Sequence, residues 1–415
     1  MAELTDHDRR AYEANVWKSY LFHFCMHFQL WWSIWVIYLT DLRGFTLTQI
    51  STLEALFWGT AVVAEIPTGA VADRFGRKWS MALGAASMAT AVLVFGLATN
   101  YWIVLASYMA WAAGIAFLSG AEHAMLFESL KAVGKEGDFQ RAAGRLGAVF
   151  SFAALAGGII GAPIAAATDL SIPVVLSAAI AVPGIAVALS MREPELPEGE
   201  VRLAYGSLLR ESAATALRMP SVRSMILLAA LVAGLTFGPM LFMQPFLSHH
   251  HVDVGLLGLI QTPVRVLGII GSLAAYAVIA RLGMRGAFVA APIVFAASFA
   301  LLGGWGSVYA FAAFPAIALV NALLLPPSTD YVARRVPNNQ RATILSLRTM
   351  LSSLIAAALT PGLGMAADRL SLGAMFWIAG GVAAVALSAA LFLWLRADLR
   401  ESELSSPEAQ PAPAG

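Results

Sequence analysis

The feature that most constrains this chain is a succession of long apolar runs. Cut at charged residues or at glycine and proline breaks, they fall near 17–40, 47–72, 79–98, 101–130, 141–168, 171–191, 222–248, 254–280, 287–304, 307–333, 341–367 and 372–395. A bilayer core roughly 30 Å thick needs about 20 helical residues at 1.5 Å rise each, and these runs give about twelve segments of that order. Of the 415 residues, 59% are hydrophobic and only 12% charged, with a mean hydropathy of +0.74. Soluble domains carry about a quarter charged. The sequence therefore reads as an all-α, multi-pass membrane protein.

The charges are sorted by loop and form no single patch. A net charge of +1 gives no case for a nucleic-acid partner. With the N-terminus inside, nearly all of the 26 Lys and Arg fall on the inner loops and tails, leaving only Arg43 and Arg369 in outer loops and Arg265 within a span. That asymmetry predicts both termini on the cytoplasmic side of the cell membrane. Residues 1–15 lack a short apolar core with a small-residue cleavage site, so the first span itself is expected to direct insertion. The lone Cys25 excludes a disulfide framework.

Between the second and third runs lies Gly69-Ala70-Val71-Ala72-Asp73-Arg74-Phe75-Gly76-Arg77-Lys78. Two spans joined by so short a link need Gly76 for backbone freedom, and Arg74, Arg77 and Lys78 mark the inner face. A merely basic loop explains the cations but neither Asp73 nor the glycine spacing.

This Gly-x-x-x-Asp-Arg-x-Gly-Arg-Lys pattern resembles the signature of the major facilitator superfamily, which sits between that family's second and third helices. The resemblance implies two six-helix bundles, a substrate held between them, no cofactor, and a monomeric protein in the lipid bilayer that takes a small-molecule substrate and protons or another coupling cation. It also implies a cytoplasmic gate made from Gly69, Asp73, Arg74, Gly76, Arg77 and Lys78, with Glu128 placed to pair with Arg77 or Arg74. Asp73 is expected to meet the start of the eleventh span near Arg341, where a helix N-terminus favours an anion.

The expected domains are a cytoplasmic segment 1–16, a first bundle 17–191, a linker 192–221 containing an amphipathic helix near Tyr205 to Arg210, a second bundle 222–395 and a disordered tail 396–415. Repetition supports two halves. Gln140-Arg141-Ala142 opens the fifth span and Gln340-Arg341-Ala342 the eleventh, while Arg281-Leu282-Gly283-Met284-Arg285 echoes the signature turn without its acid. Gly157-Gly158-Ile159-Ile160-Gly161-Ala162-Pro163 is loosely similar to the glycine and proline signature of proton-coupled antiporters in the family. It departs from that signature in splitting the Gly-Pro pair, and Ala110 stands where drug antiporters carry a buried arginine.

Ionisable residues inside spans cost at least roughly 2.5–3.5 kcal/mol on insertion scales, so each needs a partner, a cavity or a task. Glu65, beside Pro67, and Glu122 are the proton-coupling candidates, although a structural hydrogen bond explains Glu65 equally well. Glu54, Arg265, Gln261 and Asp330, with Phe28 and Trp31 from an aromatic-rich first span, are the candidates for the substrate cavity. An interfacial belt or lipid contact is the commoner use of such aromatics. His23 and His27, or His249-His250-His251 with Asp253, have partial metal-ligand spacing, and neither set completes a site, so no metal is expected. No sequence pattern points to an enzyme. The expected function is proton-coupled export of amphipathic or drug-like organic solutes by alternating access, an antiporter of multidrug efflux type. The alternative is a proton- or sodium-coupled importer of a small polar or anionic metabolite, with Arg265 receiving the anion.

Overall fold

The apolar runs become helices, and the polar residues that interrupt them become caps. The computed structural model describes residues 5–194 and 205–404, apart from the side chains of 66, 73, 205–209 and 402–404. Thr46 and Gln49 form a reciprocal capping box at the start of α2 (Leu47–Phe75), and the Asn100 side chain accepts the Trp102 N–H at the start of α4 (Tyr101–Ala132). Between them runs α3 (Arg77–Leu97). Among the described residues nine helices are long and apolar enough to cross a membrane. One of these is two helices joined at Gly283, and the first two expected runs are occupied by α1 (Asp6–His27) with the broken segment after it and by α2.

The chain divides into two compact units, Met1–Gly199 with Gln244–Thr262, and Glu200–Met243 with Pro263–Gly415. In the first, α3 packs on α4 and on α6 (Ile172–Ser190), α2 packs on α4, and α1 packs on α4, α6 and α5 (Phe139–Ala167). The segment 244–262, which follows the linker in sequence, belongs to this unit.

The run 17–40 is not one helix. α1 stops at His27, residues 28–34 are unwound, and helix resumes only as the turn Trp35–Ile37 and a π turn at Tyr38–Leu42. Irregular backbone at membrane depth is tolerated only where other protein groups satisfy it. Here the Leu30 N–H donates to Ser177 Oγ at 2.8 Å and the Val36 N–H to Gln244 Oε1 at 2.9 Å. Gln244 Nε2 donates to the Trp32 carbonyl at 3.0 Å, and Gln261 Nε2 to the Ser33 carbonyl at 2.9 Å. The glycines of α5 let this segment approach. A Cβ on Gly157 would stand 2.6 Å from the Gln29 carbonyl oxygen, and one on Gly161 would overlap that of Leu30.

The second unit contains α7 (Tyr205–Arg218), α8 (Pro220–Met240), most of α10 (Leu257–Gly304, after the short α9, Met243–His249), α11 (Ala313–Arg335), α12 (Arg341–Arg369) and α13 (Leu372–Leu404). α8 is its centre, packed by α11, α12 and α13. Phe288, Phe295, Phe299, Phe314, Phe376 and Trp394 are fully buried in its core. Helix α7 extends the expected amphipathic helix to Arg218, and the side chains of Tyr205 to Leu209 lie outside the described residues. Residues 396–404, expected within a disordered tail, continue α13, and 405–415 lie outside the described residues.

Gly283 (φ 67°, ψ 164°) and Gly76 (φ 98°, ψ 157°) share one backbone conformation, in a region that side chains other than glycine's rarely enter. The echo read in the sequence is thus the same single-residue turn, built once in each unit.

Candidate functional site

The signature turn is held by two later carboxylates, Glu128 of α4 and Glu193 just after α6. Arg77, 9% exposed, grips Glu128 side-on through one guanidinium edge, Nε to Oε2 at 3.0 Å and Nη2 to Oε1 at 2.6 Å. This bidentate geometry is the strong form of an Arg–carboxylate pair. The Arg77 backbone N–H donates to Glu193 Oε1 at 2.5 Å, and the Glu193 carboxylate fills the space that a side chain at Gly76 would need. Arg74 and Lys78 lie over the rings of Phe75 and Trp79, at 5.5 and 6.0 Å. Gly69 faces open space, and exposed Arg341 bonds Asn338 at 2.7 Å. The Asp73 side chain is outside the described residues. Sequence reasoning missed Glu193, whose only signal is its place among the first charges after the sixth run. The second unit repeats the arrangement, with Asp398 accepting from Arg285 at 2.8 and 3.0 Å and from the Tyr331 hydroxyl at 2.8 Å.

Deeper in the first unit, α1 and α4 bring His23 and Glu122 together. His23 Nδ1 and Glu122 Oε1 are 2.8 Å apart, and the residues are 9% and 4% exposed. His27 covers His23 with ring centroids 4.3 Å apart, and Phe150 closes on His27 edge-on at 4.8 Å. The hydrogen bond survives in two charge states. With neutral imidazole donating to carboxylate the pair carries one negative charge, and one added proton makes it neutral without breaking the contact. His23 was a metal-ligand candidate in the sequence; among the described residues no group of three or more His, Cys, Asp or Glu is placed to hold a metal.

Glu54 lies in α2, three and four residues before Phe57 and Trp58, and accepts a hydrogen bond from the Trp58 side chain. Behind it a continuous set of rings runs from Phe57 to Trp111 (4.8 Å), Trp111 to Trp31 (5.1 Å), Trp31 to Trp32 (5.1 Å) and Trp111 to Tyr108 (5.8 Å). Trp31, Phe57, Tyr108 and Trp111 are buried, while Trp32, Trp35, Trp58 and Glu54 keep partial exposure. The buried rings are a backing and the half-exposed ones a face.

The remaining candidates separate from these groups. Glu65 is exposed on α2, in place of the burial expected for it. Trp31, 1% exposed, is core, and Phe28 stacks on Phe24 at 4.9 Å. Gln261 is committed to the Ser33 carbonyl. Asp330 is gripped by Arg334 one turn on, at 2.8 and 2.9 Å, at the edge of a cavity of about 660 Å³ that Arg285 and Asp398 also line. Arg265 is exposed and, among the described residues, forms no ion pair within 4.0 Å.

The turn, the helix count and the paired units are now joined by a match to the family description Major Facilitator Superfamily over residues 20–361. The chain belongs to the major facilitator superfamily. It is a multi-pass membrane protein with the transporter fold of that superfamily. No curated protein matches it in sequence. Among solved structures it is similar to the nucleoside transporter NupG, with a TM-score of 0.73 and 15% identity over 92% of this chain and 99% of that one. It is also similar to a bacterial homolog of the human lysosomal transporter Spinster, in an inward-facing, unoccupied conformation, with a TM-score of 0.63 and 17% identity over 99% and 100% of the two chains. A third similar structure is a POT family transporter in complex with 5-aminolevulinic acid, with a TM-score of 0.65 and 14% identity over 94% and 96%. At these identities the likeness is one of fold.

Proposed function

We propose that the chain is a monomeric secondary active transporter of the cell membrane, both termini cytoplasmic, that works by alternating access and couples proton entry to export of amphipathic or drug-like organic solutes. The observation that carries the reading is the buried His23–Glu122 pair, which can load and release one proton without losing its contact. Glu122 is the coupling carboxylate and His23 the partner that keeps it oriented. Exposed Glu65 supports that role less well. The turn around Gly76, tied by Arg77 to Glu128 and Glu193, acts as the cytoplasmic gate together with Asp73 and Arg341.

The test is solute flux in proteoliposomes under an imposed proton gradient. The parent protein moves solute against its gradient, and Glu122→Gln loses the driven component. Equal driven flux in both proteins refutes the assignment. A second reading, import of a small polar or anionic metabolite coupled to protons or sodium, is favoured by one observation: among the described residues, exposed Arg265 forms no ion pair within 4.0 Å. It predicts that Arg265→Gln abolishes uptake of an anionic solute.

A further inference from the structure

The carboxylate of Glu54 lies one turn before Phe57 and Trp58 on the same helix. Among the described residues no Lys, Arg or His forms an ion pair with it within 4.0 Å, and its hydrogen-bond partner is the Trp58 indole. Glu54 lies at positions i−3 and i−4 from Phe57 and Trp58, so the three side chains emerge on one side of α2. The unwound segment of helix 1 and the turn after it add Trp32 and Trp35 to the same ring network, Trp32 to Trp111 at 6.3 Å and Trp35 to Tyr108 at 6.4 Å. Tyr108 and Trp111 are themselves locked behind Phe57, at 6.1 and 4.8 Å.

A carboxylate half-removed from water needs a positive partner. Aromatic faces attract a cation through their quadrupole, and attract it most when it carries little hydration of its own. A neutral planar solute would use the rings but not the acid, and an anion would be repelled by it. A hydrophilic metal ion would need several more oxygen ligands than the one carboxylate present.

We propose that Glu54, with the half-exposed faces of Trp32, Trp35 and Trp58, binds the positively charged centre of a lipophilic organic cation. This deepens the export reading above by naming its substrate class, and rests on that reading only for the direction of transport. Glu54 is the residue that meets the charge, and the ring of Trp58, one turn on along α2, flanks it.

The experiment uses the full chain, purified in detergent and titrated by quenching of its own tryptophan fluorescence. The probes are tetraphenylphosphonium and tetraphenylborate, matched in size and shape and opposite in charge, each titrated alone. The parent is expected to bind tetraphenylphosphonium saturably and tetraphenylborate not at all. Glu54→Gln should weaken the cation about tenfold and Glu54→Asp restore most of it, while Trp35→Leu weakens it by a smaller factor of about three. Equal affinity for the two probes, or unchanged cation affinity in Glu54→Gln, overturns the proposal. If Glu54→Gln does not fold, judged by gel filtration, the probe pair and Trp35→Leu decide alone. Binding needs no proton gradient, so a protein that binds the cation but moves nothing under a gradient refutes the transport reading and leaves this one standing. One that transports anions and ignores Glu54 does the reverse.

Discussion

Replacing Gln244 by Met keeps the side chain's length and removes both of its hydrogen bonds. The amide is 3% exposed, and it is the partner of the Val36 N–H and of the Trp32 carbonyl. The Trp32 carbonyl belongs to the unwound segment and the Val36 N–H to the first turn after it, where no helix precedes to accept it, so neither has an intrahelical substitute. Leaving one buried polar group unsatisfied costs about 1–3 kcal/mol, which gives about 2–6 kcal/mol for the pair. Against a total stability of about 5–15 kcal/mol, that is a large share. Reversible unfolding in mixed detergent micelles, followed by tryptophan fluorescence, measures the difference directly. Gln261→Met removes one bond, to the Ser33 carbonyl, and should cost about half as much. The two effects should not add, because both residues support one bend. If Gln244→Met loses less than about 0.5 kcal/mol, the bend does not depend on these bonds and the account of the broken helix fails.

Two further outcomes follow from other sites. Glu128→Ala strands the buried Arg77 and should cost about 3 kcal/mol, much of which the double variant Arg77→Met with Glu128→Leu recovers; equal stability of Glu128→Ala and the parent would contradict the buried pairing. Asp169 accepts from the Ser171 hydroxyl and N–H, which hold its carboxyl below its ordinary 3.8. Because the folded value is depressed, its contribution is present above about pH 4 and lost as pH falls through the folded value. Melting curves of the parent and Asp169→Ala should therefore differ at neutral pH and converge in acid, and a gap that widens in acid would reverse the assignment.

Span positions were legible because hydropathy reports how a segment partitions into lipid, and the turn was legible because one glycine between charges has few other uses. The echo at Gly283 was legible for the same reason, and its dihedral angles match those of Gly76. What hydropathy cannot report is where a backbone finds its hydrogen bonds. Phe28 to Ile34 contains neither proline nor glycine and reads as helix. It unwinds because Ser177, Gln244 and Gln261, 147 to 228 positions away in their pairings, offer better partners together than the helix would. Glu122 stood out as a buried acid, but His23, 99 positions earlier, could be matched to it only in three dimensions. Asp330 looked free in the sequence because an arginine one turn on is common at helix ends and does not by itself imply a grip.

Helix α2 ends at Phe75 and α3 begins at Arg77, so their connection is one residue long. A joint of that length has no slack. The two helix ends therefore stay within one residue's reach of each other. An epitope or protease site spliced in at Gly76 would lift that restraint even where both helices still insert, which makes that position a poor place for a tag.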